Sequence, residues 1–99
     1  LSYAQMIRDA RQKVLGRAMQ TVVVEVARLA QQQATTAMVG RTHGQPATPT
    51  SMGKELANFA YRLDRQFGQT LAVPILGKFN GATGNYSAQL VAYPHVDWL

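Results

Sequence analysis

Gly40–Met52, GRTHGQPATPTSM, breaks the chain between two long helix-patterned stretches and carries most of its chemical information. Gly44, Pro46 and Pro49 take this segment out of regular helix and free backbone groups and hydroxyls to face a ligand. His43 lies inside it, between Thr42 and Gly44. An unperturbed imidazole titrates closer to neutral pH than any other side chain, so it exchanges protons under cellular conditions. Arg41, Thr42 and Gln45 place cationic and hydrogen-bonding groups beside it, which an ionised ligand would want. On residue chemistry alone two readings stand. His43 is either an ordinary surface or structural loop histidine, or a proton-exchanging group at a binding site.

Outward from the break, Leu1 to about Thr35 reads as one long helix. Tyr3, Ile7, Ala10, Val14, Ala18, Val22 and Leu29 fall near a 3.6-residue period with Gln and Arg between them. Val22, Val23 and Val24 lower local helix propensity slightly, and packing in a buried helix outweighs that. Gly16 is a soft spot or a point of close helix approach. On the other side, Thr48 is expected to cap a second helix with Pro49 in its first position. Leu56, Phe59, Leu63 and Phe67 mark its apolar stripe as far as about Leu71, and Pro74 closes it. Gly77 to Gly84, GKFNGATG, is a turn region able to expose amides, but it lacks the Lys-Ser/Thr of a P-loop. Asn85 is expected to cap a short helix through Val91, ended by Pro94, and Asp97 to cap another.

Ninety-nine residues allow at most one modest domain with little margin of stability. The chain is 46% hydrophobic and 15% charged, which excludes disorder and leaves apolar faces that need covering by a partner or by further sequence. With no initiator methionine and an opening within a helix, it reads as an internal fragment. Absence of cysteine removes disulfides and thiolate metal sites and fits a reducing compartment. No signal peptide is evident, and the longest apolar run, Val22 to Ala30, is broken by Glu25 and Arg28 and is too short to span a bilayer. The net charge of +5 favours anionic partners, yet the basic residues are scattered and not interleaved with aromatics as a nucleic-acid groove requires.

Other chemical candidates are weaker. His95 and Asp97 have metal-pair spacing but no further ligands around them, and a loop histidine before a helix cap is the plainer account. The five carboxylates, Asp9, Glu25, Glu55, Asp64 and Asp97, are dispersed, so paired-carboxylate chemistry is not expected. Ser51 has no evident base besides His43, and a role at the helix start suits it better.

Two segments, RTHGQPATPTSMGKELANFAYRLDRQ and ILGKFNGATGNYSAQLVAYPHVDW, together resemble the adenylosuccinate lyase family of bacterial type, within the fumarase/aspartase superfamily. Thr-His-x-Gln alone is shared across that superfamily; the Gly-Lys-Phe-Asn-Gly-Ala-Thr-Gly-Asn-Tyr and Ala-Tyr-Pro-His-Val-Asp-Trp runs are more specific. Likeness is weakest over Gln12 to Thr36. Thr83, where the family often has valine, and Val39-Gly40, where a bulkier pair is common, depart from the pattern without touching the histidine.

The resemblance implies an all-α fold, with residues 1–99 forming part of the long-helix bundle of the superfamily's central domain. It implies β-elimination of fumarate from adenylosuccinate and from the succinyl-aminoimidazole-carboxamide ribotide, in a cytoplasmic homotetramer without metal or organic cofactor. By the same match His43 is the general acid that protonates the departing nitrogen, and Thr42 hydrogen-bonds the succinyl part. The expected partner is a small purine nucleotide, not nucleic acid or membrane. The family's basic serine sits in a Gly-Ser-Ser-x-Met-Pro-x-Lys-x-Asn segment, which does not occur in this sequence. Two rivals remain: a sister enzyme such as argininosuccinate lyase or fumarase, and a basic helical module that binds nucleic acid or a partner helix without catalysis.

Overall fold

Periodicity sets the first half of the chain. The computed structural model describes residues 1–98 and opens with α1 (Ser2–Ala10), a π-helical turn (Arg11–Leu15) and α2 (Gly16–Gln32). A two-stranded antiparallel hairpin follows, β1 (Ala37–Thr42) and β2 (Gln45–Ser51), then α3 (Met52–Ala72) and the short α4 (Ser87–Ala92). The architecture is mainly helical, as expected, with one small hairpin where the sequence indicated only a loop. The chain divides into two compact units, Ala10–Val73 and a second made of Leu1–Asp9 with the chain from Pro74 onward.

In the larger unit, α2 lies antiparallel to α3: Gly16 sits beside Leu71, while Ala30 and Ala34 sit beside Gly53. The contact face of α2 is built by Gly16, Met19, Val23, Val26, Ala27 and Ala30, and that of α3 centres on Gly53, Leu56 and Ala60. This corrects the stripe expected from the sequence, since Val14, Val22 and Leu29 stay 63%, 52% and 39% exposed. A π-helical turn, in which the Gly16 amide bonds to Arg11 O, precedes this face. Tyr3 and Ile7 ahead of the turn are exposed as well, at 72% and 37%, so the expected stripe is left uncovered on both sides of it. On α3 the expected stripe is used only in part, with Phe59 57% exposed. Small residues take the crossing instead, which lets the two backbones approach closely.

Gly53 shows how close the approach is. A Cβ placed there would lie 2.5 Å from Ala34 Cα and collide with Ala30 O. At the opposite end of α3, the Arg11 guanidinium donates to Thr70 O at 3.1 Å and to Val73 O, satisfying carbonyls that the helix leaves unpaired.

The start of α3 differs from the sequence expectation. Ser51, not Thr48, is the N-cap, with its Oγ accepting from the Lys54 amide at 3.2 Å. Thr48 and Pro49 belong to β2, so Pro49 does not occupy the first helical position. The physical reason is tertiary. Met52 N donates to Thr36 O and Gly53 N donates to Gln33 O, both at 2.9 Å, so the chain leaving α2 fixes where α3 begins.

In the smaller unit, the Leu1 amino group donates to Lys78 O at 3.2 Å, and α4 follows a glycine-rich bend with positive φ at Gly81 and Gly84. The expected cap is displaced: Tyr86, in the left-handed region, is the N-cap of α4 and makes no side-chain cap bond. Asn85 lies one residue earlier, where its Oδ1 accepts from the Ser87 amide at 3.3 Å and from Thr83 Oγ1 at 2.7 Å and so holds the turn ahead of the helix. Trp98 closes this unit, with its ring 6.2 Å from Tyr86 and its Nε1 donating to Tyr93 O. The helix expected after Asp97 lies outside the described residues.

Two expected outcomes follow from these contacts. Ser51→Ala lowers stability by about 1 kcal/mol through loss of the cap, while Thr48→Ala, which removes no cap, changes it by less than about 0.5 kcal/mol; denaturant unfolding of the two variants ranks them. Gly53→Ala costs roughly 1–3 kcal/mol because the crossing has no room for a methyl group. A lowered melting temperature in differential scanning calorimetry checks it.

Candidate functional site

Antiparallel pairing places the sequence-predicted residues. Thr42 pairs with Gln45, Arg41 with Pro46, Val39 with Pro49 and Ala37 with Ser51. His43 and Gly44 are therefore the two residues of the turn, with φ of 52° and 76°. Positive φ at both central residues is what a type I′ turn demands, and its twist matches that of the paired strands. The strands are one residue out of step between Val39 and Arg41, so Gly40 faces both Ala47 and Thr48 in a β-bulge.

The bulge also accommodates the prolines. In an antiparallel pair, residues alternate between hydrogen-bonded and non-hydrogen-bonded positions. Counting from the closing pair Thr42–Gln45, Pro46 falls on a non-bonded position, and the extra residue brings Pro49 onto another. Neither proline then has to supply the N–H it lacks.

His43 is exposed at the tip, and Thr42 closes β1 immediately behind it. Arg41 and Gln45, the other expected neighbours, flank the tip on the two strands. Behind the tip an open cleft of about 560 Å³ runs between the hairpin and the first turn of α3, lined by Arg41, Thr42, Thr48, Thr50, Lys54 and Glu55 among others. Thr50 Oγ1 donates to Glu55 Oε1 at 3.2 Å, tying β2 to α3 across the cleft floor. Lys54 and Glu55 were not among the residues singled out from the sequence. Spacing alone does not bring Arg41 and Lys54 to one cleft; only the pairing of the strands does.

This arrangement sets an exposed imidazole at the tip, directly after Thr42, with the cations of Arg41 and Lys54 along the cleft behind it, and it does not bring Ser51 to His43. Ser51 pairs with Ala37 at the base of the hairpin. Five strand steps separate that base from Thr42, about 16 Å at the usual rise per residue, so no Ser–His dyad forms. His95 lies in a turn after Pro94, in the other unit from His43. Among the described residues no group of three or more His, Cys, Asp or Glu is placed to hold a metal ion, and no helix is long and apolar enough to cross a membrane.

The mainly helical frame agrees with the family indicated by the motifs. A family model described as lyase matches residues 1–98, and the chain belongs to that family. Over 98 residues, covering 99% of this chain, it is 51% identical to the adenylosuccinate lyase of Haemophilus influenzae. It is likewise 49% identical to the adenylosuccinate lyase of Escherichia coli K12, and 51% identical to that of Legionella pneumophila strain Corby. In each case the chain spans 22% of the length of the curated relative it matches.

Proposed function

We propose that this chain is the general-acid segment of an adenylosuccinate lyase, working within the helical bundle of a longer enzyme. The observation that carries the reading is the exposed His43 at a hairpin tip directly after Thr42, within a chain about half identical to enzymes of that name. Residues 1–99 then form part of the central helical domain. The uncovered apolar stripes of α2 and α3 become the faces that neighbouring helices cover, in a homotetramer of the cytoplasm.

The chemistry required of His43 is specific. A base removes a proton from the succinyl carbon next to a carboxylate, and the electron pair is held as an aci-carboxylate. The C–N bond then breaks, its electrons going to the purine amino nitrogen, and fumarate forms. That nitrogen leaves poorly as an anion, so the imidazolium of His43 gives it a proton, and AMP departs with an intact amino group. The same cleavage applies to the succinyl-aminoimidazole-carboxamide ribotide. Proton transfer from a positioned imidazole contributes roughly 10²–10⁴-fold to such a step. Thr42 orients the succinyl part, and the base comes from sequence outside this chain.

In a lyase of the relatives' length carrying this segment, His43→Ala lowers kcat by roughly 10²–10⁴-fold while assembly is retained. Steady-state kinetics with size-exclusion chromatography check this, and near-normal turnover would refute the acid assignment. Activity on argininosuccinate in place of adenylosuccinate would instead support a sister lyase. Separately, residues 1–99 alone are expected to show no fumarate release, since the base is not among them. Turnover by the purified chain would contradict that reading.

A further inference from the structure

We propose that Gly44 is a positioning residue for this reaction, setting the direction of the His43 side chain through the left-handed backbone of the turn. The proposal rests on the reading of His43 as the acid and adds a requirement that it does not contain.

The argument begins with the constraint on His43 itself. Its φ of 52° lies in the left-handed region, which non-glycine residues enter at a cost and which His tolerates better than most. The two central conformations of a two-residue turn are coupled: a type I′ turn has both at positive φ, whereas the II′ alternative calls for Gly at the first central position, which His43 occupies in this chain. Gly44, at φ 76°, takes up its half of that requirement without strain. If the residue at 44 resists positive φ, the turn rearranges, and His43 leaves the left-handed region with it. Its Cα–Cβ bond then points elsewhere, while β1 and β2 remain anchored at the far end of the hairpin by the amides of Met52 and Gly53.

Space is not the issue at this position. A Cβ built on Gly44 meets nothing within 4 Å. Within this chain a side chain there meets no collision, and in the longer enzyme the ranking of Asn against the smaller Ala separates backbone conformation from crowding. This separates Gly44 from Gly53, where a Cβ would strike α2. Proton transfer is sensitive to such a change, because a misplacement of about 1 Å at a reacting group costs on the order of 10²-fold.

The test uses four variants in a lyase of the relatives' length carrying this segment, each measured for kcat, KM and thermal unfolding on adenylosuccinate. Gly44→Asn, whose side chain tolerates the left-handed region, is expected to keep kcat within about threefold of the parent. Gly44→Ala should lose about tenfold, and the β-branched Gly44→Val about 10²-fold, with KM changing much less than kcat. Gly68→Ala on α3, also open within 4 Å, serves as the control and should leave kcat unchanged. If Gly44→Val fails to fold, the ordering of glycine, asparagine and alanine still decides the matter. Equal kcat for Gly44→Ala and the parent overturns the proposal, as does an Asn variant no better than Ala. A His43→Ala variant with normal kcat would instead remove the reading of His43 as the acid, so the two failures are told apart.

Discussion

Two backbone hydrogen bonds govern the larger unit of this chain: Met52 N to Thr36 O and Gly53 N to Gln33 O. They splice the end of α2 to the start of α3 and satisfy amides that a helix N-terminus otherwise leaves unpaired. They form only because the backbones come unusually close, which the missing side chain of Gly53 and the small Ala30 permit. With both ends pinned, the chain from Ala37 to Ser51 has to return on itself, and pairing it as a ribbon satisfies its backbone groups. The tip of that ribbon then falls at His43 and Gly44. Geometry at the helix crossing is in this way transmitted along paired strands to the backbone of His43.

Much of this frame was legible in the residues. The helical stretches and the stop before Pro74 follow from periodicity and local chemistry, whereas the N-cap of α4 falls on Tyr86 and not on the expected Asn85. The contact face of α2 did not, because the close crossing is made at small residues such as Gly16 and Ala30, which an apolar stripe of larger side chains does not mark. The hairpin was hidden for a different reason. β2 reads QPATPTS, with two prolines and no alternating hydrophobic face, so nothing local announces a strand. What makes it one is the pinned ends together with a bulge that moves Pro49 off a bonding position. The choice of Ser51 over Thr48 as cap follows from the same tertiary contacts, since both residue types cap well in isolation.

For the site, the sequence identified His43 and Thr42 as candidates and gave the residue chemistry, but not the mode of presentation. A histidine in a loop is usually unremarkable. One held at positive φ on a two-residue turn has its backbone fixed on both sides. The cleft behind it joins residues from β1, β2 and α3, and only the fold assembles Arg41, Thr42, Thr50 and Lys54 along one surface. On the function proposed above, this arrangement within a member of the lyase family is the one that supplies an oriented proton donor. A hairpin anchored at its base on two crossing helices meets that need better than an unpaired loop, because orientation is where proton transfer gains most of its advantage.

The most direct measurement is a crystal structure of the relatives-length lyase carrying this segment, with adenylosuccinate bound. The account predicts a ring nitrogen of His43 at about 3 Å from the purine amino nitrogen, at the tip of an intact hairpin. An imidazole turned in against the protein, unable to reach that nitrogen even through one water molecule, would contradict it.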